Sequence, residues 1–487
     1  MVSNATILSG TYPQAHHASE LGAQLPPGLP YLPGLLHARG YRTAAVIGSS
    51  ALDARNGFVS GFDRGFEAYD AGPGTGVAVS GEPTSAQPVA RAIAWVNRNP
   101  QGPFFLWIQI GPPRALNGST YDRYITSADA ALGQLLATLR KQRSFDDCLV
   151  VVTSDHGDSL GAHGEETHGI FLYDETIHVP LLLKLPQSQG AERRVKGTVR
   201  LVDVAPTILE VAGLPVPSAM QGQSLLRIAK SNTDAGQPVY SRSDFPQEAF
   251  GWSALEAWRS GKYLYIRAPK PELYDLSSDP GATHNLAQSS KAVLDTMAAQ
   301  LTAFDSHFEK SVTQNETGLT SAEMQKLASL GYVGLQKNTP TGAAGPAGTD
   351  PKDVIADANK TLNAMRALDQ TKTDSAIAPL RQVLNTEPNS YLVHYGLGAA
   401  LAQKQQYKEA IEHLHRAIEL RPDSAKAQFE MGSALMKAGD FKAAAVHLEI
   451  ASTHLPSFAP AHAALAEACD HLGRKEDASR ERAKSKQ

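Results

Sequence analysis

The sequence is poor in cysteine: Cys148 and Cys469 are the only two in 487 residues, far apart and outside any CxxC or Cys/His ligand spacing. That argues against a disulfide scaffold or a cysteine zinc module and leaves the redox compartment open. Long apolar runs are also missing. The longest, Phe104 to Ile110, is interrupted by Gln109 and falls well short of the roughly 20 residues that cross a bilayer, so no membrane span is expected. No sign of charge dominates, since 45 Lys+Arg stand against 49 Asp+Glu for a net charge of −4. A nucleic-acid binder generally carries a basic excess, so no nucleic-acid partner is expected. The residues after Met1 do not form a basic segment followed by an apolar core, so no secretory leader is legible. Apolar residues make up 42% of the chain, which is enough for a sizeable core and excludes wholesale disorder.

What is present divides the chain. Lys337 to Asp350 reads KNTPTGAAGPAGTD, small residues with Gly and Pro and almost nothing to bury, which is the composition of a linker. Beyond it, Pro388, Pro422 and Pro456 recur every 34 residues, as do Ala376, Ala410, Ala444 and Ala478. Gly398 and Gly432 keep the same period, with Ala466 in the third slot. A 34-residue period with small residues at helix crossings and Pro after the second helix is the tetratricopeptide signature. The small residues let two antiparallel helices approach closely, with Tyr407 and Phe441 filling the space between them. About three full helix pairs follow a degenerate first pair that starts near Ile355. A generic Ala-rich bundle would not set three periodic series in step. Such stacks bind peptide or protein, so a protein partner is expected there.

Ahead of the linker, β-prone runs at Thr43–Ile47, Phe104–Ile110, Leu149–Thr153 and Pro180–Leu185 alternate with helical patterns at Leu29–Ala38, Ala86–Asn97 and Ser127–Gln142. That alternation predicts an α/β domain, a mostly parallel sheet with helices on both faces. Between Val239 and Leu276 the strand-like segments PVYSRSD, KYLYIRAP and ELYDL crowd together, which predicts a small antiparallel subdomain.

The segment richest in chemistry is Val150 to Pro186. Ser154-Asp155-His156-Gly157 leaves the C-terminal end of a buried strand, where open α/β sheets place their ligands. Asp155 and His156 offer a carboxylate oxygen and an imidazole nitrogen side by side, a donor pair that suits Mn²⁺, Zn²⁺, Mg²⁺ or Ca²⁺. Gly157 would permit the turn that aims both at one point. His163 and His168 follow within twelve residues of His156. The pattern is not an EF-hand, because Gly157 occupies its second ligand slot. His163-Gly-Glu-Glu-Thr-His168 is neither HExxH nor HxxEH. The plain alternative is a solvated acidic loop whose histidines cap and pack.

This segment resembles the second metal-binding motif of the sulfatases and their relatives in the alkaline phosphatase superfamily, among them phosphonate monoester hydrolases and phosphoethanolamine transferases. Further pieces follow in the family's order. Gly40-Tyr41-Arg42-Thr43-Ala44 precedes Gly65-Phe66-Glu67-Ala68-Tyr69-Asp70, and Leu201–Thr207 precedes Gly213-Leu214-Pro215. Glu272-Leu273-Tyr274-Asp275-Leu276 leads to Asp279-Pro280 and Asn285-Leu286, and Leu330-Gly331-Tyr332 stands before the repeats as in the bacterial subgroup with tetratricopeptide tails. The resemblance implies an alkaline-phosphatase-like fold over residues 1–335 and a metal-dependent hydrolase of sulfate esters or phosphate esters. It implies Asp155 and His156 as ligands of a divalent metal and His168 as the catalytic-site cation on the ester anion, with His163 and Arg114 as further substrate-binding groups. Cations and a metal are what such chemistry needs, because charge builds on the equatorial and leaving oxygens.

The chain departs from the family pattern at two places. Aligning Ser9-Gly10 and Tyr12-Pro13 with the family's nucleophile helix puts Val2 at the motif Pro, Ser3 at its Ser and Asn4 at its basic residue. The nucleophile then falls one residue before Met1, and Ser3 reads as a helix N-cap rather than as the attacking group. At Trp107–Arg114, Gln109, Pro112 and Arg114 replace a His, an Asp and a final His of the tetratricopeptide-bearing relatives. Arg114 suits an anionic oxygen but is no proton donor at neutral pH. The expectation is a sulfuric ester hydrolase truncated at its N-terminus, lacking its first strand, with periplasm or cell envelope as the location if a signal sequence precedes it. The alternative is a catalytically inactive sulfatase-like adaptor that recruits protein through its repeats. The expected layout is a sulfatase-like α/β domain over 1–235, a small antiparallel subdomain with a helix over 236–335, a linker over 336–352 and an all-α tetratricopeptide solenoid over 353–487.

Overall fold

The computed structural model describes residues 1–19, 21–22, 25–54, 61–72, 86–99, 101–111, 118–230, 236–309, 319–332 and 348–486. The chain opens with α1 (Val2–Ser9), α2 (Pro13–His16) and α3 (Leu32–His37), and Ser3 lies inside the first turn of α1, whose N-cap is Met1. Strands β1 (Arg42–Ile47), β2 (Ala68–Asp70) and β3 (Phe104–Gln109) form a parallel sheet in the order β2-β1-β3. Alternation along β3 sends Phe104, Leu106 and Ile108 to one face and Phe105 and Trp107 to the other. On the first face they meet α4 (Ala86–Arg98) and α5 (Gly118–Lys141) through Val89, Val96, Leu135 and Leu139. On the second they meet Tyr31, Phe62 and Phe66 and the side carrying α1 and α3. Helices thus cover both faces. Helix α5 begins nine residues ahead of the expected Ser127, because Gly118–Thr126 holds no proline and its single glycine stands at the first position.

The strand β4 (Val150–Thr153) is followed by α6 (Asp174–Ile177) and β5 (Leu181–Lys184), and the two strands pair antiparallel, Val150 opposite Lys184. The expectation of a mostly parallel sheet therefore holds for β1–β3, while β5 returns along β4 instead of extending that sheet. After α7 (Val204–Val211) and α8 (Leu226–Lys230) comes the antiparallel sheet, with β6 (Val239–Ser243), β7 (Leu255–Ser260), β8 (Tyr263–Arg267) and β9 (Glu272–Asp275) in sequence order. Strand β7, LEAWRS, has no strand-like look in the sequence because charges interrupt it. Its Glu256 stands opposite Arg242 and Arg267 and pairs with both, at 3.3 and 2.7 Å, so the neighbours neutralise what the sequence leaves unexplained. One face of this sheet packs on α10 (Lys291–Glu309) through Tyr240, Trp258 and Leu273. Between β6 and β7 runs α9 (Phe245–Phe250), and α11 (Ser321–Ser329) follows α10.

The repeats begin with α12 (Pro351–Asp369) and α13 (Thr373–Thr386) and continue as α14 (Tyr391–Gln403) with α15 (Tyr407–Leu420), α16 (Ala425–Ala438) with α17 (Phe441–His454), and α18 (Ala459–His471) with α19 (Lys475–Lys484). The small residues do what their period implies. A Cβ on Gly398 would stand 2.5 Å from Leu414, and one on Gly432 would stand 2.6 Å from Leu448, the same contact one repeat later. Most of the expected linker, up to residue 347, lies outside the described residues, but its end is anchored. Asp350 caps α12 and also accepts the Lys270 N–H at 3.0 Å. The array is not a tethered appendage. A single buried cluster runs from Ile170–Tyr173 and Trp252 through Leu327 and Tyr332 to Ala417, Met431 and Leu448 of the repeats. No helix among the described residues is long and apolar enough to cross a membrane.

Candidate active site

The site begins where β4 ends. The Thr153 hydroxyl donates to the Pro180 carbonyl at 2.8 Å and ties this end to the start of β5. Asp155, His156 and Asp158 then project around Gly157. The glycine is required by a close approach, not by an unusual turn: a Cβ there would stand 2.1 Å from the Glu175 carbonyl oxygen, and its N–H donates to Thr176 at 2.8 Å. The expected reason was a sharp turn aiming Asp155 and His156 at one point; the reason in the fold is the lack of room beside Glu175. Residues 159–167 fold back on themselves through Ser159 N–H to Thr167 O and Gly161 N–H to Glu165 O, at 2.7 and 2.8 Å. Glu165, 1% exposed, accepts the Ile170 and Phe171 N–H groups at 2.8 and 3.2 Å. Burial pushes its carboxyl pKa up against the pull of those two bonds.

The fold brings His156 and His168 together. Their ring centroids are 4.0 Å apart. His156 Nδ1 lies 2.8 Å from the Gly157 carbonyl, an acceptor, so Nδ1 is the donor of that bond and Nε2 faces away from it. That Nε2 stands 3.9 Å from Asp155 Oδ1. His168 instead sets Nδ1 against the Asp158 carboxylate at 2.6 Å. His156, Asp158 and His168 each offer a ligand atom within 4.8 Å of the others. Asp158 was not singled out by spacing, although its place two residues after His156 was the available signal. The other residue missed is Asn4. Its amide donates to Asp155 Oδ2 at 2.7 Å from a position only 4% exposed, so the residue aligned with the family's basic position supports the carboxylate. Tyr121 on α5 also faces the site, its phenol pKa raised by burial and by the Asp158 charge.

The remaining expected residues lie apart. His163 adopts a left-handed φ of 53° and stacks its ring on Tyr173 at 3.7 Å, with Nε2 4.0 Å from Glu175. It is not among the grouped ligands. Arg114 and Pro112 lie outside the described residues. Gln109, at the end of β3, accepts the Gly48 N–H at 3.1 Å and ties β3 to β1. The carboxylate and imidazole donors of His156, Asp158 and His168 fit a divalent cation.

The comparisons with known proteins decide the family of this region. Residues 116–214 match the sulfatase family model, and 167–307 match that of the N-sulphoglucosamine sulphohydrolase C-terminal domain. Sulfatase-family models thus match residues 116–307. Tetratricopeptide repeat models match 399–439 and 429–480, so the sulfatase region is followed by the repeats read from the 34-residue period. The sulfatase region is 31% identical over 192 residues to arylsulfatase K of Rattus norvegicus, covering 37% of this chain and 34% of the relative. It is 32% identical over 186 residues to the multifunctional alkaline phosphatase superfamily protein PehA of Trinickia caryophylli, covering 35% and 36%. The chain spans about a third of the length of these curated relatives. In fold it is similar to the phosphonate monoester hydrolase of Silicibacter pomeroyi, with a TM-score of 0.52 and 19% identity over 63% of this chain and 85% of that one. A putative sulfatase from Bacteroides thetaiotaomicron gives 0.51 and 21% over 64% and 83%. Sulfatases use a divalent metal, and the sulfatase region here holds a His/Asp set able to bind one.

Proposed function

We propose that this chain carries the metal- and anion-binding part of a hydrolase of sulfate esters, with phosphate esters as the neighbouring substrate class. The observation that carries this reading is the opposite bonding of two adjacent imidazoles. A backbone carbonyl takes the hydrogen bond of His156 Nδ1, which leaves Nε2 as the ring atom to ligate a metal. The Asp158 carboxylate at Nδ1 orients the His168 ring and leaves its Nε2–H to donate to an anionic oxygen. Asp155, by the resemblance, and His156 are assigned to the metal and His168 to the ester anion, with Asp158 bonded to His168 at 2.6 Å. Arg114 is assigned to the anion by its place in the sequence alone, and His163 to the rim of the site. A bound divalent ion, Ca²⁺, Mg²⁺, Mn²⁺ or Zn²⁺, would supply Lewis-acid polarisation of the ester oxygens. The residues themselves orient the anion and hold a proton at His168 Nε2. The tetratricopeptide array adds a surface for a protein or peptide partner.

Titration of the chain with Mn²⁺ and with Ca²⁺ tests the assignment. Asp155→Ala and His156→Ala should each weaken cation binding by roughly tenfold or more. Cation binding of unchanged affinity in both variants would remove the proposal. Hydrolysis of 4-nitrophenyl sulfate against 4-nitrophenyl phosphate distinguishes the two ester classes.

A further inference from the structure

The loop that carries His163 and leads into His168 is held from outside, by the first helix of the repeats. Asn359 on α12 grips its backbone twice: its Oδ1 accepts the Glu166 N–H at 3.1 Å and its Nδ2 donates to the Gly164 carbonyl at 2.7 Å. One turn further on, the Asn363 amide donates to the Glu166 carboxylate at 2.7 Å. One turn earlier, Ile355 lies 3.4 Å from the place of a Cβ on Gly164. Positions 355, 359 and 363 follow the four-residue spacing of one helix face, so a single stripe of α12 meets the loop. A second connection starts in the first turn of α12. Lys352 pairs with the buried Glu272 at 2.7 Å, Glu272 accepts the Tyr173 hydroxyl at 2.7 Å, and the Tyr173 ring carries His163.

The loop needs such support. Leu160 and His163 both sit at left-handed φ values, 52° and 53°, and a backbone of that kind persists only where its surroundings hold it. We propose that Asn359 is a positioning residue for the site: by clamping residues 164 and 166 it fixes the loop that presents His168, so the first repeat is a structural part of the anion site. This inference rests on the function proposed above.

The experiment compares the whole chain with its Asn359→Ala and Asn359→Asp variants by two readouts. Amide hydrogen exchange over residues 159–168 reports the clamp, and binding of inorganic phosphate in the presence of Mn²⁺ reports the site. Asn359→Ala should speed exchange in the loop and weaken phosphate binding by roughly tenfold, the scale of lost support behind a metal or anion ligand. Asn359→Asp keeps the acceptor for Glu166 and should restore part of both. Unchanged exchange in Asn359→Ala overturns the clamp, and faster exchange with unchanged phosphate affinity overturns the positioning role. If the unaltered chain binds neither Mn²⁺ nor phosphate, the proposed function itself fails and this inference falls with it. An unfolded variant would show fast exchange throughout α13–α19, in which case Asn363→Ala, which removes the contact to the Glu166 side chain and an exposed bond from Arg366 within α12, gives the same comparison with a smaller shift.

Discussion

The repeat array and the catalytic-type loop solve the same problem, holding polar groups against a packed interior, in opposite ways. In the array each contact has a copy: Gly398 against Leu414 is repeated by Gly432 against Leu448, and His394, Gln428 and His462 each reach a carbonyl of the preceding Pro388, Pro422 or Pro456. Nearest neighbours suffice, so stability adds repeat by repeat. In the loop nothing is repeated. Asn4, Asp155, Asp158, His168 and Asn359 come from three distant stretches of chain, and none of their contacts has a copy elsewhere in the site. A copied contact can be lost and compensated by its neighbours, whereas a single contact at the site cannot.

Adding one methyl group to each region breaks this comparison most sharply. Gly157→Ala sets a Cβ 2.1 Å from a backbone carbonyl, which cannot give way. Cation binding should be lost, with destabilisation of roughly 3 kcal/mol on thermal or urea unfolding. Gly432→Ala meets the movable Leu448 side chain at 2.6 Å. It should cost about 1 kcal/mol and leave cation binding unchanged. Equal damage from the two would show that the regions are not distinguished in this way.

Acid acts next, and on the array. His447 is 2% exposed and bonded to Gln428 at 2.7 Å, and burial, with the nearby His415, lowers its pKa to about 3 from 6.5. Between those values the unfolded chain binds the proton and the folded chain does not. Stability is therefore full above pH 6.5 and falls as the pH drops toward 3. The expected loss by pH 4 is on the order of 3 kcal/mol. His447→Gln should flatten that slope in urea unfolding followed across pH, and an unaltered slope would exclude this residue as its source.

The smallest effect is expected where α11 meets the array. Lys326 and Glu449 pair at 2.7 Å, but the lysine side chain is 48% exposed. Lys326→Ala should change stability by less than about 0.5 kcal/mol. A larger loss would mean that α11 depends on this pair more than on the burial of Leu327 and Tyr332, 0% and 3% exposed.

Much of this arrangement is legible in the residues. The 34-residue period gives the helix pairs with their crossings, because a repeated local contact leaves a repeated local signal. Asp155, His156 and His168 stand out because hard donors cluster at a strand end. Strand β7 escapes notice because Glu256 is neutralised only by strands on either side of it. Asp158 and Asn4 escape because a carboxylate and an amide acquire meaning only from what they face. The role of Gly157 is misread for the same reason: the obstacle is Glu175, eighteen residues on.

The sequence by itself determined the class of the chain: an α/β region of sulfatase type, a small antiparallel sheet and a tetratricopeptide array, all carried by periodicity and motif order. The tertiary structure alone decided how these parts work together. It gave His156 a backbone carbonyl and His168 a carboxylate as hydrogen-bond partners, and it laid one stripe of α12 along the loop that leads to His168. Both follow from contacts between residues up to 197 positions apart. Local propensity and spacing cannot encode such contacts, because each exists only once the chain has folded.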